Sequence, residues 1–202
     1  MRDFLTIAIT GGIGSGKSEV SSIIKNAGYI VYDADEIYAN VIGDENVVFK
    51  IYALLRIEPE YYDGKVFFNR KKVSSVIFSD AEKLNALNIF THALVYEKIK
   101  KIIDEHNKTP LFFEIPLLFE SGHEKDFDRV IVVTRPKKDR VEAVIKRSGL
   151  SYFEVLSRIN NQFDYDKNDL SEHTLIVNDG DIPSLEYKVK KALGEIFKGR
   201  SN

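Results

Sequence analysis

Residues 11–18 read Gly-Gly-Ile-Gly-Ser-Gly-Lys-Ser, which has the form G-x-x-x-x-G-K-[ST]. Each residue type has a task at its place. Glycines let the backbone turn so that several N–H groups point inward at one cluster of oxyanions. Lys17 can carry its ammonium to the β- and γ-phosphates, and the Ser18 hydroxyl can ligate Mg2+. The flanks match this use. Residues 4–10 are apolar and β-branched, and Val20, Ile23, Ile24 and Ala27 recur at helical spacing just behind. Strand, glycine loop and helix in that order make residues Gly12, Ile13, Gly14, Ser15, Gly16, Lys17, Ser18 and Glu19 a cradle for a nucleoside triphosphate.

Acidic residues fall where such a loop would use them. A second short strand, residues 29–32, ends in Asp33-Ala34-Asp35. Ligands of parallel α/β sheets sit beyond the carboxyl ends of the strands, so both carboxylates belong on the rim of the glycine loop. At least one is expected to do catalytic or metal work, although Asp33 with Glu36 also has the spacing of a helix cap. Glu114 closes a third strand, residues 111–115, before Pro116. It could hold a Mg2+-bound water or sit in a rim ion pair. Farther along, Arg135, Lys137, Lys138, Arg140, Lys146 and Arg147 face only Asp139 and Glu142 as opposing charges. Ser151 with Glu154 caps the next helix, which carries Arg158 and Gln162 one turn apart, and residues 164–169 are polar. A charge run is usually a solvated face. Beside a polyphosphate, mobile cations make this segment a lid candidate.

The elements that must hold these groups alternate. Residues 129–134 and 174–177 supply a fourth and fifth strand, and a final amphipathic helix follows Pro183 through Leu185, Val189, Leu193 and Ile196. Residues 37–106 read as helical, with a turn at Asp63-Gly64 and a capping box at Ser79 and Glu82. That box opens a helix through Leu84, Leu87, His92, Leu94, Ile99 and Ile103. Alternation of strand and helix predicts a doubly wound parallel α/β sheet of five strands. Its core is expected at about 1–36, 108–136 and 172–202, with a helical insertion at 37–107 and a lid at 137–171.

Composition bounds the partners. The chain has 202 residues, 29 Lys+Arg against 31 Asp+Glu, and a formal net charge of −2. That balance disfavours a nucleic-acid partner. There is no cysteine, hence no disulfide and no thiolate chemistry. The start runs straight into a strand, and no apolar run reaches the roughly 20 residues that span a bilayer. A cytoplasmic protein without a membrane partner is expected, as a monomer or weak homo-oligomer.

Taken together these residues resemble the dephospho-CoA kinase family. The resemblance rests on T-G-G-I-G-S-G-K-S at Thr10 to Ser18, D-A-D at Asp33 to Asp35, Arg70, Phe78 and L-N-x-x-x-H ending at His92. It continues with P-L-L-F-E at Pro116 to Glu120, Arg147, Arg158 with Gln162, Lys167, and N-D-G at Asn178 to Gly180. It implies a P-loop kinase fold with a helical CoA-binding insertion and a lid. The implied reaction phosphorylates the ribose 3′-hydroxyl of dephospho-CoA with Mg2+-ATP, the last step of coenzyme A biosynthesis. It implies Asp35, with Asp33 next, at the acceptor hydroxyl. Lys17 and Arg147 would act on the transferring phosphoryl group, and Ser18 and Glu114 would serve the metal. Asn178 would border the adenine. Arg70, His92, Pro116, Leu117, Leu118, Glu120, Arg158 and Gln162 would line the acceptor. The chain departs from the family at Glu19, Ala93, Ala143 and Asn168. Family members usually show Gln, Arg and Arg where this chain has Arg140, Ala143 and Arg147, so Arg140 either supplies the missing guanidinium to ATP or is one more solvated residue of a basic helix. A kinase of a nucleoside monophosphate or a shikimate-like alcohol is the alternative, and a regulatory NTPase switch a more distant one.

Overall fold

The structure, a computed structural model, describes residues 4–106 and 109–198. Five parallel strands form one sheet in the order β2-β5-β1-β6-β7. They are β1 (Thr6–Thr10), β2 (Ile30–Asp33), β5 (Leu111–Glu114), β6 (Arg129–Thr134) and β7 (Thr174–Val177). β1 and β5 are buried along their whole length, which is why their sequences do not alternate.

The helices α1 (Lys17–Asn26) and α9 (Ile182–Lys198) cover one face of that sheet. Val20 and Ile24 of α1 and Leu185, Val189, Leu193 and Ile196 of α9 pack into one cluster with Ile7, Ile9, Phe112, Ile131 and Val133. Each buried aliphatic side chain of this kind contributes about 1.5–3 kcal/mol. The cluster therefore fixes both roots of the glycine loop, the end of β1 and the start of α1. Ala27 is the C-cap of α1, with Gly28 beyond it at φ 90°. The helices α7 (Lys137–Ser148) and α8 (Tyr152–Asn160) pack on each other through Val141, Val144 and Val155, and Ile13 of the glycine loop inserts against them. Ser151 caps α8 in the expected reciprocal box with Glu154. Between β5 and β6 lies a short helix, α6 (Leu118–Ser121).

Contacts divide the chain into residues 34–105 and the remainder, so residues 137–171 group with the sheet. The 34–105 unit has its own core. It holds α2 (Ala34–Val41), α3 (Glu45–Leu55), the hairpin β3 (Tyr61–Tyr62) and β4 (Lys65–Val66), α4 (Arg70–Ile77) and α5 (Ala81–Glu105). Ile42, Ile51, Leu55, Val73 and Leu87 pack at its centre. The buried Tyr52 hydroxyl donates to the Phe67 carbonyl and accepts from the Asn69 amide. The cap of α5 corrects the sequence reading by one residue. Asp80 accepts from the Lys83 amide, whereas the Ser79 hydroxyl turns back to the Ser75 and Val76 carbonyls and closes α4. Among the described residues no helix is long and apolar enough to cross a membrane.

Candidate active site

The glycine loop joins β1 to α1 and has Gly16 as the N-cap of the helix, at φ 95°. Only a residue without Cβ reaches that conformation cheaply. The first intrahelical bond runs from Val20 N to the Gly16 carbonyl, so the amides of Lys17, Ser18 and Glu19 have no acceptor inside the helix. They open a positive helix end beside the loop. The Lys17 ammonium donates to the carbonyls of Gly11 (2.7 Å) and Gly12 (3.2 Å) and so lies over the loop. Ser15 is buried, and its hydroxyl has no hydrogen-bond partner among the described residues.

Across the loop the Ser18 hydroxyl donates to Glu114 Oε1 at 2.9 Å. Glu114 ends β5 and is 7% exposed. Asp33 ends β2 in register with Glu114. Residues paired in parallel register point to the same face of the sheet. Asp33, half-buried, therefore shares the α1 face with Glu114 and Ser18. Asp35 lies two residues on, exposed in the first turn of α2.

Three side chains from far along the chain brace the loop. Arg140 is buried at 4% exposure, and its Nε donates to the Ile13 carbonyl at 3.2 Å. Gln162 Oε1 accepts from the Ile13 amide at 2.8 Å. Asn178 is 8% exposed, and its Nδ2 donates to the Ser15 carbonyl at 3.0 Å. Arg140 is thus no solvated member of a basic helix, and both Gln162 and Asn178 meet the loop itself. Arg147 and Arg158 are exposed on α7 and α8. Lys167 forms an exposed ion pair with Asp164 at 3.0 Å. A cavity of about 370 Å³ opens between these segments, lined by Lys137, Arg140, Gln162, Tyr165 and Lys167 among others.

The Pro116–Glu120 stretch divides by exposure. Leu117 is 42% exposed, while Leu118 is fully buried, which leaves the Leu118 side chain nothing to offer a ligand. Glu120 Oε1 accepts from the Phe163 amide at 2.8 Å. On the 34–105 unit, Arg70 opens α4 and is exposed, and His92 is half-buried on α5. Burial raises the Tyr38 phenol pKa there, and the Arg70 charge works against that rise.

Sequence reasoning missed Tyr165, an aromatic residue inside a polar run. It is 6% exposed, and its hydroxyl lies 3.4 Å from Thr10 Oγ1, at the foot of the glycine loop. Its ring joins Phe119 and Phe163, which stack at 4.5 Å. Burial pushes its phenol from 10.0 up to about 12, the Thr10 hydroxyl offsetting part of the rise. The unfolded chain loses this proton near pH 10 and the folded chain near pH 12. Stability from the buried neutral phenol is therefore complete below pH 10 and falls by up to about 3 kcal/mol as pH rises to 12. Denaturation midpoints between pH 9 and 12 should fall more steeply for the wild type than for Tyr165→Phe. Parallel curves would remove the phenol from this role.

Comparisons with known proteins identify the family. The family model described as dephospho-CoA kinase matches residues 5–184. A dephospho-CoA kinase of Thermus thermophilus is 35% identical over 195 residues, 96% of this chain and 93% of its own length. A crystal structure of a Thermus thermophilus protein superposes with a TM-score of 0.80 at 32% identity, covering 98% of this chain and 99% of that one. A dephospho-CoA kinase from Campylobacter jejuni superposes with a TM-score of 0.69 at 27% identity, covering 96% and 98%.

Proposed function

The chain belongs to the dephospho-CoA kinase family, transferring the γ-phosphoryl group of ATP to the ribose 3′-hydroxyl of dephospho-CoA, and from that premise we propose the part each of its residues plays. The observation that carries the assignment of parts is the shared rim. Lys17, Ser18, Glu114 and Asp33 all stand at the carboxyl ends of adjacent strands, beside a loop built for oxyanions.

The loop amides and Lys17 hold the phosphates, and Lys17 takes up the charge that develops on them. Asp33 accepts a hydrogen bond from the 3′-hydroxyl and aims its oxygen at the γ-phosphorus. The new P–O bond forms there as the bond to ADP breaks, and the hydroxyl proton passes to the carboxylate. A ribose hydroxyl is a very weak acid, so alignment contributes more than basicity. Register supports Asp33 over Asp35, the sequence's first choice. Arg147 and Lys167 supply cations from the lid. Arg70, His92, Pro116, Leu117, Glu120 and Arg158 serve the acceptor.

The Ser18 hydroxyl and the Glu114 carboxylate are two hard oxygens 2.9 Å apart, a donor set that fits Mg2+ shared with phosphates and waters. Bound there, the ion would neutralise charge on the β- and γ-oxygens. A chelator is expected to abolish turnover, and excess Mg2+ to restore it. We place the enzyme in the cytoplasm, acting without nucleic acid as a monomer or weak homo-oligomer.

The test is incubation with Mg2+-ATP and dephospho-CoA, followed by mass spectrometry. CoA and ADP should appear in equal amounts. Conversion of AMP to ADP, with dephospho-CoA unchanged, would overturn the assignment.

A further inference from the structure

We infer that Gln162 and Arg140 are positioning residues for ATP, clamping the glycine loop by the two peptide groups that flank the Ile13 Cα. The inference rests on the kinase reading above and adds a role to residues that sequence places among the ligands. Both polar atoms near Ile13 are taken: its amide by Gln162 Oε1 at 2.8 Å and its carbonyl by Arg140 Nε at 3.2 Å. Its side chain is held as well, against Val141, Val144 and Val155. Those groups all come from residues 137–171, so the same segment grips one loop residue in three ways.

The grip is close. A Cβ built on Gly12 would stand 2.6 Å from Arg140 Nη2, and one on Gly14 would stand 2.6 Å from the Arg140 carbonyl oxygen. A side chain at Gly14 would strike backbone, and one at Gly12 would push the guanidinium aside. Gln162 is itself anchored, because the next residue's amide is fixed by Glu120 Oε1 at 2.8 Å and the Phe163 ring stacks on Phe119. Tyr165 ties the same stretch to Thr10. Free backbone would sample many loop shapes, and only some aim the amides of residues 14–18 at one phosphate group. A clamp on Ile13 removes the others before ATP arrives, so less ordering is left for binding to offset.

Gln162→Met keeps the length of the side chain and removes the acceptor. One net hydrogen bond corresponds to roughly a five- to tenfold change in an equilibrium constant. Calorimetry should therefore show ADP affinity weakened about that much, KM for ATP raised in step, and KM for dephospho-CoA unchanged. Gln162→Glu keeps an oxygen for the Ile13 amide, with the Arg140 guanidinium held at the next peptide, and should stay within about threefold of the wild type. Hydrogen exchange at the Ile13 amide gives a readout independent of turnover and should speed up in Gln162→Met alone. A rise in KM for dephospho-CoA with ADP affinity intact would make Gln162 an acceptor ligand and overturn the clamp. Unchanged exchange and unchanged ADP affinity would overturn it too. If the wild type bound ADP yet made no CoA, the acceptor assignment would fail while the clamp was still decided by the ADP and exchange data.

Discussion

Lys17→Ala is expected to lower kcat/KM by about 10²- to 10³-fold, a loss of roughly 3–4 kcal/mol in transition-state stabilisation. Lys17 stands one residue inside α1, where the helix end and its ammonium place positive charge in the same small volume. Phosphoryl transfer asks the protein for little covalent chemistry, so the rate depends on charge stabilisation and alignment. Removing the ammonium takes away a full charge that no neighbouring residue of the loop replaces. The fold should survive. Lys17 is only half-buried, and its bonds to the Gly11 and Gly12 carbonyls are of a kind worth about 1 kcal/mol each. Circular dichroism should match the wild type, ADP binding should weaken, and steady-state kinetics should show the larger loss in kcat. A variant with wild-type kcat would move the charge-stabilising role to the cations of residues 137–171.

The parts of this site that a sequence reveals are those formed by neighbours in the chain. Residues 11–18 are contiguous, and the strand before them and helix after them carry their own periodicities. The five strands were legible because each is a short apolar run ended by a turn residue or an acid. The loop braces were not. Gln162 reaches Ile13 across 149 residues, Asn178 reaches Ser15 across 163, and Tyr165 reaches Thr10 across 155. No local pattern encodes such meetings, which depend on where the sheet order brings β7 and the segment before it. Arg140 illustrates the difficulty within one helix. Six basic residues lie at 135–147, and only the tertiary packing singles out the one that shares a buried stripe with Val141 and Val144. Leu117 and Leu118 pose the same problem in two residues, since adjacent leucines of one motif differ completely in exposure. The cap of α5 slipped by one position for a simpler reason. Ser79 and Asp80 are both good caps, and propensity alone does not choose between them.

On the proposed role at the acceptor hydroxyl, Asp33→Asn is expected to reduce kcat by about 10²- to 10³-fold while leaving the dissociation constant for ADP within about threefold. The sequence alone favoured Asp35, and the sheet supplies the reason to reverse the order. Asp33 is the last residue of β2 and pairs in register with Glu114, whose carboxylate holds the Ser18 hydroxyl. A shared face puts the Asp33 side chain on the side of the sheet that carries Glu114 and Ser18. Asp35 instead occupies the first turn of α2, exposed, where an acid is stabilised by the helix dipole to the extent of about 0.3–1 kcal/mol. Asp35→Asn should accordingly cost a little stability and change kcat by less than about fivefold. Asparagine keeps the size of the side chain and can still hydrogen-bond, so a loss in Asp33→Asn would trace to the missing charge and proton acceptor rather than to a cavity. Measuring kcat and ADP affinity for both variants separates the two carboxylates. A large fall in kcat for Asp35→Asn beside a near-normal Asp33→Asn would return the role to Asp35, and register in the sheet would then have no bearing on which acid meets the hydroxyl.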